Sequence, residues 1–154
     1  MNLVNILRNT PLTKGLNEKE VESIASLAKE REFKKDEIIF EEDSKGRELY
    51  ILIDGRVGIE AYIPAQAQQK RLIHTVRKGE IFGEFSLIDG SPRSATARAM
   101  DPVKVLIIPQ KDFYDLLSSN HQIGFVVMKN IAEILCTRIR NTNLEWRNAL
   151  IWGI

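Results

Sequence analysis

This chain has little of the chemistry that stabilises secreted proteins or anchors membrane proteins. One cysteine, Cys136, occurs among its 154 residues, so no disulfide can form within the chain and we expect a reducing compartment. No apolar run approaches the roughly 18 residues that a transmembrane helix needs. The first residues lack the basic and apolar regions of a secretory signal peptide. We therefore expect a cytoplasmic protein that does not contact a membrane.

Metal-ligand clusters and strong net charge are also missing. The histidines, His74 and His121, have no companions at metal-ligand spacing, so we expect no metal site. Lysine and arginine number 22 against 21 acidic residues, which gives a net charge of +1 and argues against a nucleic-acid-binding surface over the whole protein. No nucleophile elbow, P-loop or dinucleotide fingerprint is present, so we expect no enzyme.

What is present suffices for one domain, residues 1–154, because 44% of the residues are hydrophobic. Residues 1–33 are predicted to be helical. Asn17 and Glu20 form a candidate capping pair before an apolar helical stripe. That stripe comprises Val21, Ile24, Leu27 and Ala28.

Residues 34–109 carry short β-branched or aromatic runs separated by turn residues, a composition that favours an antiparallel β-roll resembling a jelly-roll barrel. Asp54 and Gly55 between two such runs predict a hairpin. The polar stretch 64–69 predicts a surface loop between paired strands. The fold class is therefore mainly β with flanking helices.

Residues 110–154 are predicted to be helical, with a long helix from about Gln122. Its apolar stripe fits either packing against the roll or a homodimer interface, and Trp146 and Trp152 also require a partner surface. Arg138, Arg140 and Arg147 are interpreted as a solvated helix face. The stripe comprises Val127, Ile131, Ile134, Leu135 and Ile139.

The segment Phe82–Ala97, with sequence FGEFSLIDGSPRSATA, carries the functional signal. Gly83 allows close backbone approach, and the following residues can present free N–H groups to an anion. Arg93 can donate to two phosphate oxygens, and Ser94 can add a hydrogen bond. Glu84 would repel phosphate but can accept from a ribose hydroxyl. An anion together with a hydroxyl indicates a nucleotide.

These residues resemble the phosphate-binding cassette of the cyclic nucleotide-binding domain family. The family pattern is Phe-Gly-Glu, an aliphatic and a small residue, Leu, a turn, then Pro-Arg, a small residue and Ala. The corresponding residues here are Phe82, Gly83, Glu84, Phe85, Ser86, Leu87, Pro92, Arg93, Ser94 and Ala95. Phe85 and Ser86 depart from the commoner aliphatic residue and alanine.

The resemblance implies a distribution of ligand contacts. Arg93, Ser94, Ala95, Phe85 and Ser86 would bind the phosphate. Gly83 and Glu84 would bind the ribose. The base would lie over Ile59, His74 and Val76, although Ile59 and Val76 also fit as plain core residues.

The resemblance implies a stand-alone bacterial-type sensor that binds cyclic AMP, with cyclic GMP as second choice, and needs no other cofactor. The C-terminal helix would reposition and signal to an unidentified effector protein or a sister subunit. Direct DNA binding is not expected, because no reading domain follows the long helix. Alternatives are a ligand-free dimerisation module, a fragment of a larger channel, kinase or transcription regulator, and, more distantly, a small hydrolase.

Overall fold

The computed structural model describes residues 3–63 and 69–152. Within them, eight strands form two four-stranded antiparallel sheets, and helices flank the sheets at both ends. The helices are α1 (Leu3–Arg8), α2 (Glu18–Ala25), α3 (Glu84–Asp89), α4 (Gln110–Ser119) and α5 (His121–Trp152), with a 3₁₀ turn at Pro11–Thr13. The strands are β1 (Lys29–Phe33), β2 (Ile38–Phe40), β3 (Glu48–Asp54), β4 (Val57–Tyr62), β5 (Lys70–Val76), β6 (Ile81–Phe82), β7 (Thr96–Ala99) and β8 (Val103–Pro109). The predicted roll with flanking helices is confirmed.

In the N-terminal region the predicted helix α2 forms, but the helical part ends earlier than predicted. The capping box of α2 is confirmed, because the Glu20 amide donates to Asn17 Oδ1 at 3.0 Å and the Asn17 amide donates to Glu20 Oε2 at 2.8 Å. The helix ends at Ala25, and β1 begins at Lys29 rather than after residue 33. Only Phe33 of β1 is buried, so this edge strand has no alternating apolar pattern to reveal it.

Two apolar clusters form the core, and β3 contributes to both. Leu49, Ile51 and Ile53 face the helices, whereas Tyr50 and Leu52 face the second sheet. Successive side chains of a strand point to opposite faces, so burial on both faces requires a continuous apolar run. The sheet order is β1-β8-β3-β6 in one sheet and β2-β7-β4-β5 in the other.

The prediction of a hairpin at Asp54 and Gly55 is wrong. The strands that flank this turn, β3 and β4, belong to different sheets and do not pair with each other. Gly55 has a φ of +82°, and a Cβ there would lie 2.6 Å from the Pro102 carbonyl oxygen. The turn residues were therefore identified correctly, but they carry the chain from one sheet to the other.

The remaining connections are consistent with the predictions. Strands β4 and β5 pair in antiparallel fashion, as expected for strands joined by a polar loop. Most of that loop, residues 64–68, lies outside the described residues.

Helix α5 runs unbroken through the polar positions 141–143. Its first half buries Ile123, Val127 and Ile131, and Asn130 donates to the carbonyl oxygens of Leu12 and Lys14 at 2.8 and 2.9 Å. Its second half is mostly exposed. None of the helices among residues 3–63 and 69–152 has the length and apolarity to cross a membrane.

Candidate functional site

A cavity of about 1040 Å³ lies between strand β5, helix α3, the chain after it and the second half of α5. Every residue that the sequence assigns to ligand contacts lines this cavity. These residues are Ile59, His74, Val76, Gly83, Glu84, Phe85, Ser86, Arg93, Ser94 and Ala95. The structure therefore brings the candidates together, while their individual roles stay predictions.

Gly83 joins β6 to α3 in a conformation that favours glycine. Its φ of +77° lies in the left-handed region. A Cβ there would also lie 2.6 Å from Arg93 Nη1 and 3.2 Å from a ring carbon of Tyr50. A side chain at position 83 would therefore collide with Arg93, and the predicted approach of the Gly83 backbone to a ligand stays a prediction.

Arg93 is buried, with 3% of its surface exposed. Nη1 donates to the Gly83 carbonyl oxygen at 2.7 Å, and Nη2 donates to the Glu48 carbonyl oxygen at 3.0 Å. The guanidinium lies 4.2 Å from the centroid of the Phe40 ring and 5.5 Å from that of Tyr50. These contacts fix the orientation of the Arg93 side chain.

One donor of Arg93 is unused. Arg93 Nε is the buried side-chain nitrogen or oxygen without a hydrogen-bond partner among the described residues. Burial lowers the pKa of Arg93, which Tyr50 and Glu48 partly oppose, but an arginine stays protonated in proteins. A buried cation with a free N–H is a strong attractor for an anion.

Tyr50 and Glu48 complete the surroundings of Arg93. The Glu48 carboxylate lies 3.6 Å from Arg93 Nη2, and Tyr50 Oη donates to the same carboxylate at 3.3 Å. Burial, followed by the charge of Glu48, raises the pKa of Tyr50 to about 12. Tyr50 is therefore neutral over the physiological range and supports Arg93 through its ring.

Glu84 is the other buried charge of the site, with 2% of its side chain exposed. Its Oε1 accepts from Arg138 Nη1 of α5, and Arg138 Nη2 donates to the Ile81 carbonyl oxygen. The interpretation of Arg138 as part of a solvated helix face is wrong. The sequence does indicate this position, because Arg138 follows Val127, Ile131 and Ile134 at steps of three and four residues. It therefore lies on the face of α5 that packs against the domain.

The same face of α5 adds three polar residues that the sequence analysis did not select. Asn141, Thr142 and Glu145 line the cavity at three, four and seven residues after Arg138. A helix places such positions on one side, so the apolar docking face becomes a polar cavity wall beyond Ile134.

The predicted base-contacting residues lie on paired strands. Ile59 and His74 are cross-strand partners. His74 is half-exposed, and its Nε2 lies 3.8 Å from Glu80 Oε2. Val76 belongs to the core cluster between the sheets and also lines the cavity, so both interpretations of that residue fit the structure. Among the described residues, no group of three or more His, Cys, Asp or Glu could hold a metal ion.

Comparisons with known proteins agree with this geometry. The family model for the cyclic nucleotide-binding domain matches residues 30–120. The chain is 30% identical over 139 residues to the cyclic AMP receptor protein of Thermus thermophilus, covering 90% of this chain and 62% of that protein. It is 33% identical over 110 residues to human cGMP-dependent protein kinase 2, covering 71% of this chain and 14% of the kinase.

Solved structures resemble the whole described fold. A cyclic nucleotide-binding domain from Methylobacillus flagellatus aligns with a TM-score of 0.80 at 27% identity, covering 90% of this chain and 77% of that one. The chain spans less than two thirds of the length of the two curated relatives named above, and these alignments cover 90% and 71% of its own length. The chain belongs to the cyclic nucleotide-binding domain family.

Proposed function

We propose that this protein is a sensor that binds a cyclic nucleotide, cyclic AMP as first choice and cyclic GMP as second. One observation carries the proposal: Arg93 and Glu84, both buried, line the same cavity. Arg93 lies near the Glu48 carboxylate, and Glu84 is paired with Arg138. Charged groups are buried only where such partners stabilise them, so their place on the cavity wall supports a use there. The names of the relatives, a cyclic AMP receptor protein and a cGMP-dependent kinase, support both nucleotides as candidates.

In the proposed complex, the cyclic phosphate meets the free Nε–H of Arg93 and the first-turn amides of α3, which a helix leaves without internal partners. Ser94 is exposed at the cavity and is available as a further donor. The ribose hydroxyl donates to Oε2 of Glu84, because the hydrogen bond from Arg138 is accepted by Oε1. Each charge-assisted bond contributes about 1.5–3 kcal/mol.

The signal is proposed to pass through Arg138. Glu84 serves the ligand and also binds α5 through this arginine, so a change at the carboxylate alters the free energy of docking the helix. A ligand can shift α5 only through different affinities for its two positions. An unidentified effector protein or a sister subunit then reads the position of α5. The exposed free thiol of Cys136 suits the reducing cytoplasm.

Isothermal titration calorimetry with cyclic AMP and cyclic GMP tests the binding. Arg93→Ala and the milder Arg93→Lys should both weaken affinity by about tenfold or more. Arg56→Ala, which removes an exposed arginine paired with Asp101, is the matched control and should bind normally. Unchanged affinity in both Arg93 variants, with the fold intact by circular dichroism, would contradict the phosphate assignment.

The ribose contact has its own test. Glu84→Gln should reduce the preference for the cyclic nucleotide over its 2′-deoxy analogue, because the strongest acceptor for the hydroxyl is lost. Full retention of that preference would contradict the assignment. Failure of the wild-type protein to bind either cyclic nucleotide would favour the ligand-free interaction module.

We also propose a homodimer through α5. Phe125, Ile139 and Trp146 are exposed large apolar residues separated by multiples of seven, and Met128 follows Phe125 by three. This heptad spacing fits the seam of a two-stranded coiled coil on a face distinct from the one that docks on the domain. Sedimentation velocity should show a dimer at micromolar concentration, and a monomer would refute the seam.

A further inference from the structure

The loop between β2 and β3, residues 41–47, is hydrogen-bonded to the cassette along its backbone. The Asp43 amide donates to the Arg93 carbonyl oxygen at 2.8 Å, and the Arg93 amide donates to the Ser44 carbonyl oxygen at 2.8 Å. The Glu42 amide donates to Thr96 Oγ1 at 3.0 Å. These bonds fix the loop to both ends of the segment 93–96, so the loop and Arg93 are held in register.

Gly46 is the point where this loop meets the Arg93 side chain. A Cβ on Gly46 would lie 2.4 Å from Arg93 Nε, 2.5 Å from Arg93 Cζ and 2.7 Å from Ser86 Cβ. All these distances are shorter than a carbon atom tolerates. The φ of Gly46 lies outside the left-handed region, so its backbone does not require glycine. The requirement for glycine at this position is therefore one of space beside the guanidinium.

We propose that Gly46 is a positioning residue for phosphate binding, an inference that rests on the proposed function. By lacking a side chain, Gly46 leaves the space that Arg93 Nε and Ser86 Cβ border, so that the guanidinium keeps its place. Nη1 and Nη2 are already bonded to the carbonyl oxygens of Gly83 and Glu48. Displacing Nε therefore pulls the whole guanidinium off its supports.

The loop thereby becomes the third element of the phosphate site, beside α3 and the connection between α3 and β7 that carries Arg93. Its contribution is steric and made through the backbone, and no loop side chain needs to contact the ligand. Gly46 would thereby affect ligand affinity although it precedes Arg93 by 47 residues in the sequence.

The test combines affinity with a readout that needs no ligand. Gly46→Ala should weaken binding of cyclic AMP and cyclic GMP by about tenfold, because it displaces a charged donor. Lys45→Ala, the exposed neighbour, should leave affinity unchanged. In an Arg93→Ala background Gly46→Ala should add less than about twofold, because the donor that it displaces is already gone.

The second readout is the Nε–H resonance of Arg93 in a ¹⁵N correlation spectrum, identified by its absence in Arg93→Lys. Gly46→Ala should shift this resonance and speed its solvent exchange, whereas Lys45→Ala should not. If Gly46→Ala does not fold, the same measurements are made on the double variant Gly46→Ala/Ser86→Gly. This variant removes the close contact between the new Cβ and Ser86 Cβ.

The two readouts separate this inference from the proposed function. No binding by the wild type, together with a Gly46-dependent shift of the Nε–H resonance, overturns the proposed function and retains the positioning role. Normal binding by the wild type with an unmoved resonance, or an equal loss of affinity in the Arg93→Ala background, overturns the positioning role and retains the proposed function.

Discussion

Replacing Arg138 by alanine is the sharpest perturbation that the structure offers. Arg138 is the charged link between α5 and the cassette, because it donates to Glu84 and to the carbonyl oxygen of Ile81. Its removal leaves Glu84 buried without this cation, and it frees the second half of α5 from its polar attachment to the cavity wall. We expect lower stability and faster opening of the helix beyond Ile134.

The magnitude follows from the burial of the two partners. Breaking a fully buried ion pair costs about 3–5 kcal/mol. The Glu84 side chain is 2% exposed but that of Arg138 is 26% exposed, so water can partly replace the lost donor. We therefore expect a loss of about 1.5–3 kcal/mol in the free energy of unfolding. At roughly 2–4 °C per kcal/mol this lowers Tm by roughly 3–12 °C.

Urea unfolding followed by circular dichroism measures the loss, and Arg140→Ala is the matched control. Arg140 is exposed on the same helix, so its replacement should change stability by less than about 0.5 kcal/mol. A double-mutant cycle of Arg138→Ala with Glu84→Gln should reveal a coupling of at least about 1 kcal/mol. Hydrogen exchange should accelerate in residues 134–145 of the Arg138 variant.

Two results would refute this reasoning. Equal stability of Arg138→Ala and Arg140→Ala would mean that the ion pair contributes nothing in solution. Additive effects in the cycle with Glu84→Gln would mean that Arg138 acts without the carboxylate. If the pair is coupled but cyclic nucleotide still changes hydrogen exchange of α5 in Arg138→Ala, the signal reaches the helix by another route.

The remaining predictions concern Tyr50 and the α5 seam. Burial raises the pKa of Tyr50 to about 12, so the unfolded state loses the phenol proton at a lower pH than the folded state does. The wild type should therefore lose about 2–3 kcal/mol of stability between pH 10 and pH 12 beyond any loss in Tyr50→Phe. Parallel pH profiles of the two proteins in urea unfolding would contradict this. Ile139→Glu places a charge on the proposed seam and should convert the dimer to a monomer in sedimentation velocity without lowering Tm of the folded domain, whereas a persistent dimer would place the interface elsewhere.

The sequence predicted those parts of the fold in which the pattern of apolar residues matches the residues that are buried. Strand β8 ends at Pro109 and α4 begins at Gln110, which is the predicted boundary between the roll and the C-terminal helices. Strand β1 was missed because one buried residue, Phe33, gives no periodicity. The turn at Gly55 was found, but its partner strands were not, because local turn chemistry does not say which sheet the next strand joins.

The sequence predicted the site residues within the cassette but not those that other parts of the chain bring next to it. Arg93 and Glu84 carry a recognisable spacing, since both belong to one continuous segment. Arg138 and Gly46 are assigned to the site only once the fold brings α5 and the β2–β3 loop against that segment. Side chains that act across distant parts of the chain leave no local pattern, although the helical face of Arg138 was a usable hint.

The difference between the two halves of α5 supports the proposal that this helix responds to a small ligand. Up to Ile134 its inner face is largely apolar and includes the hydrogen-bonded Asn130, and these contacts fix the first half on the domain. Beyond that point the inner face consists of Arg138 and polar residues that line the cavity. A ligand bound in the cavity would lie next to these polar contacts, which are the ones that hold the second half of α5. Shifting such a segment needs a coupling of only about 1–3 kcal/mol, and the shared carboxylate of Glu84 can supply an energy of that size through one charge-assisted bond.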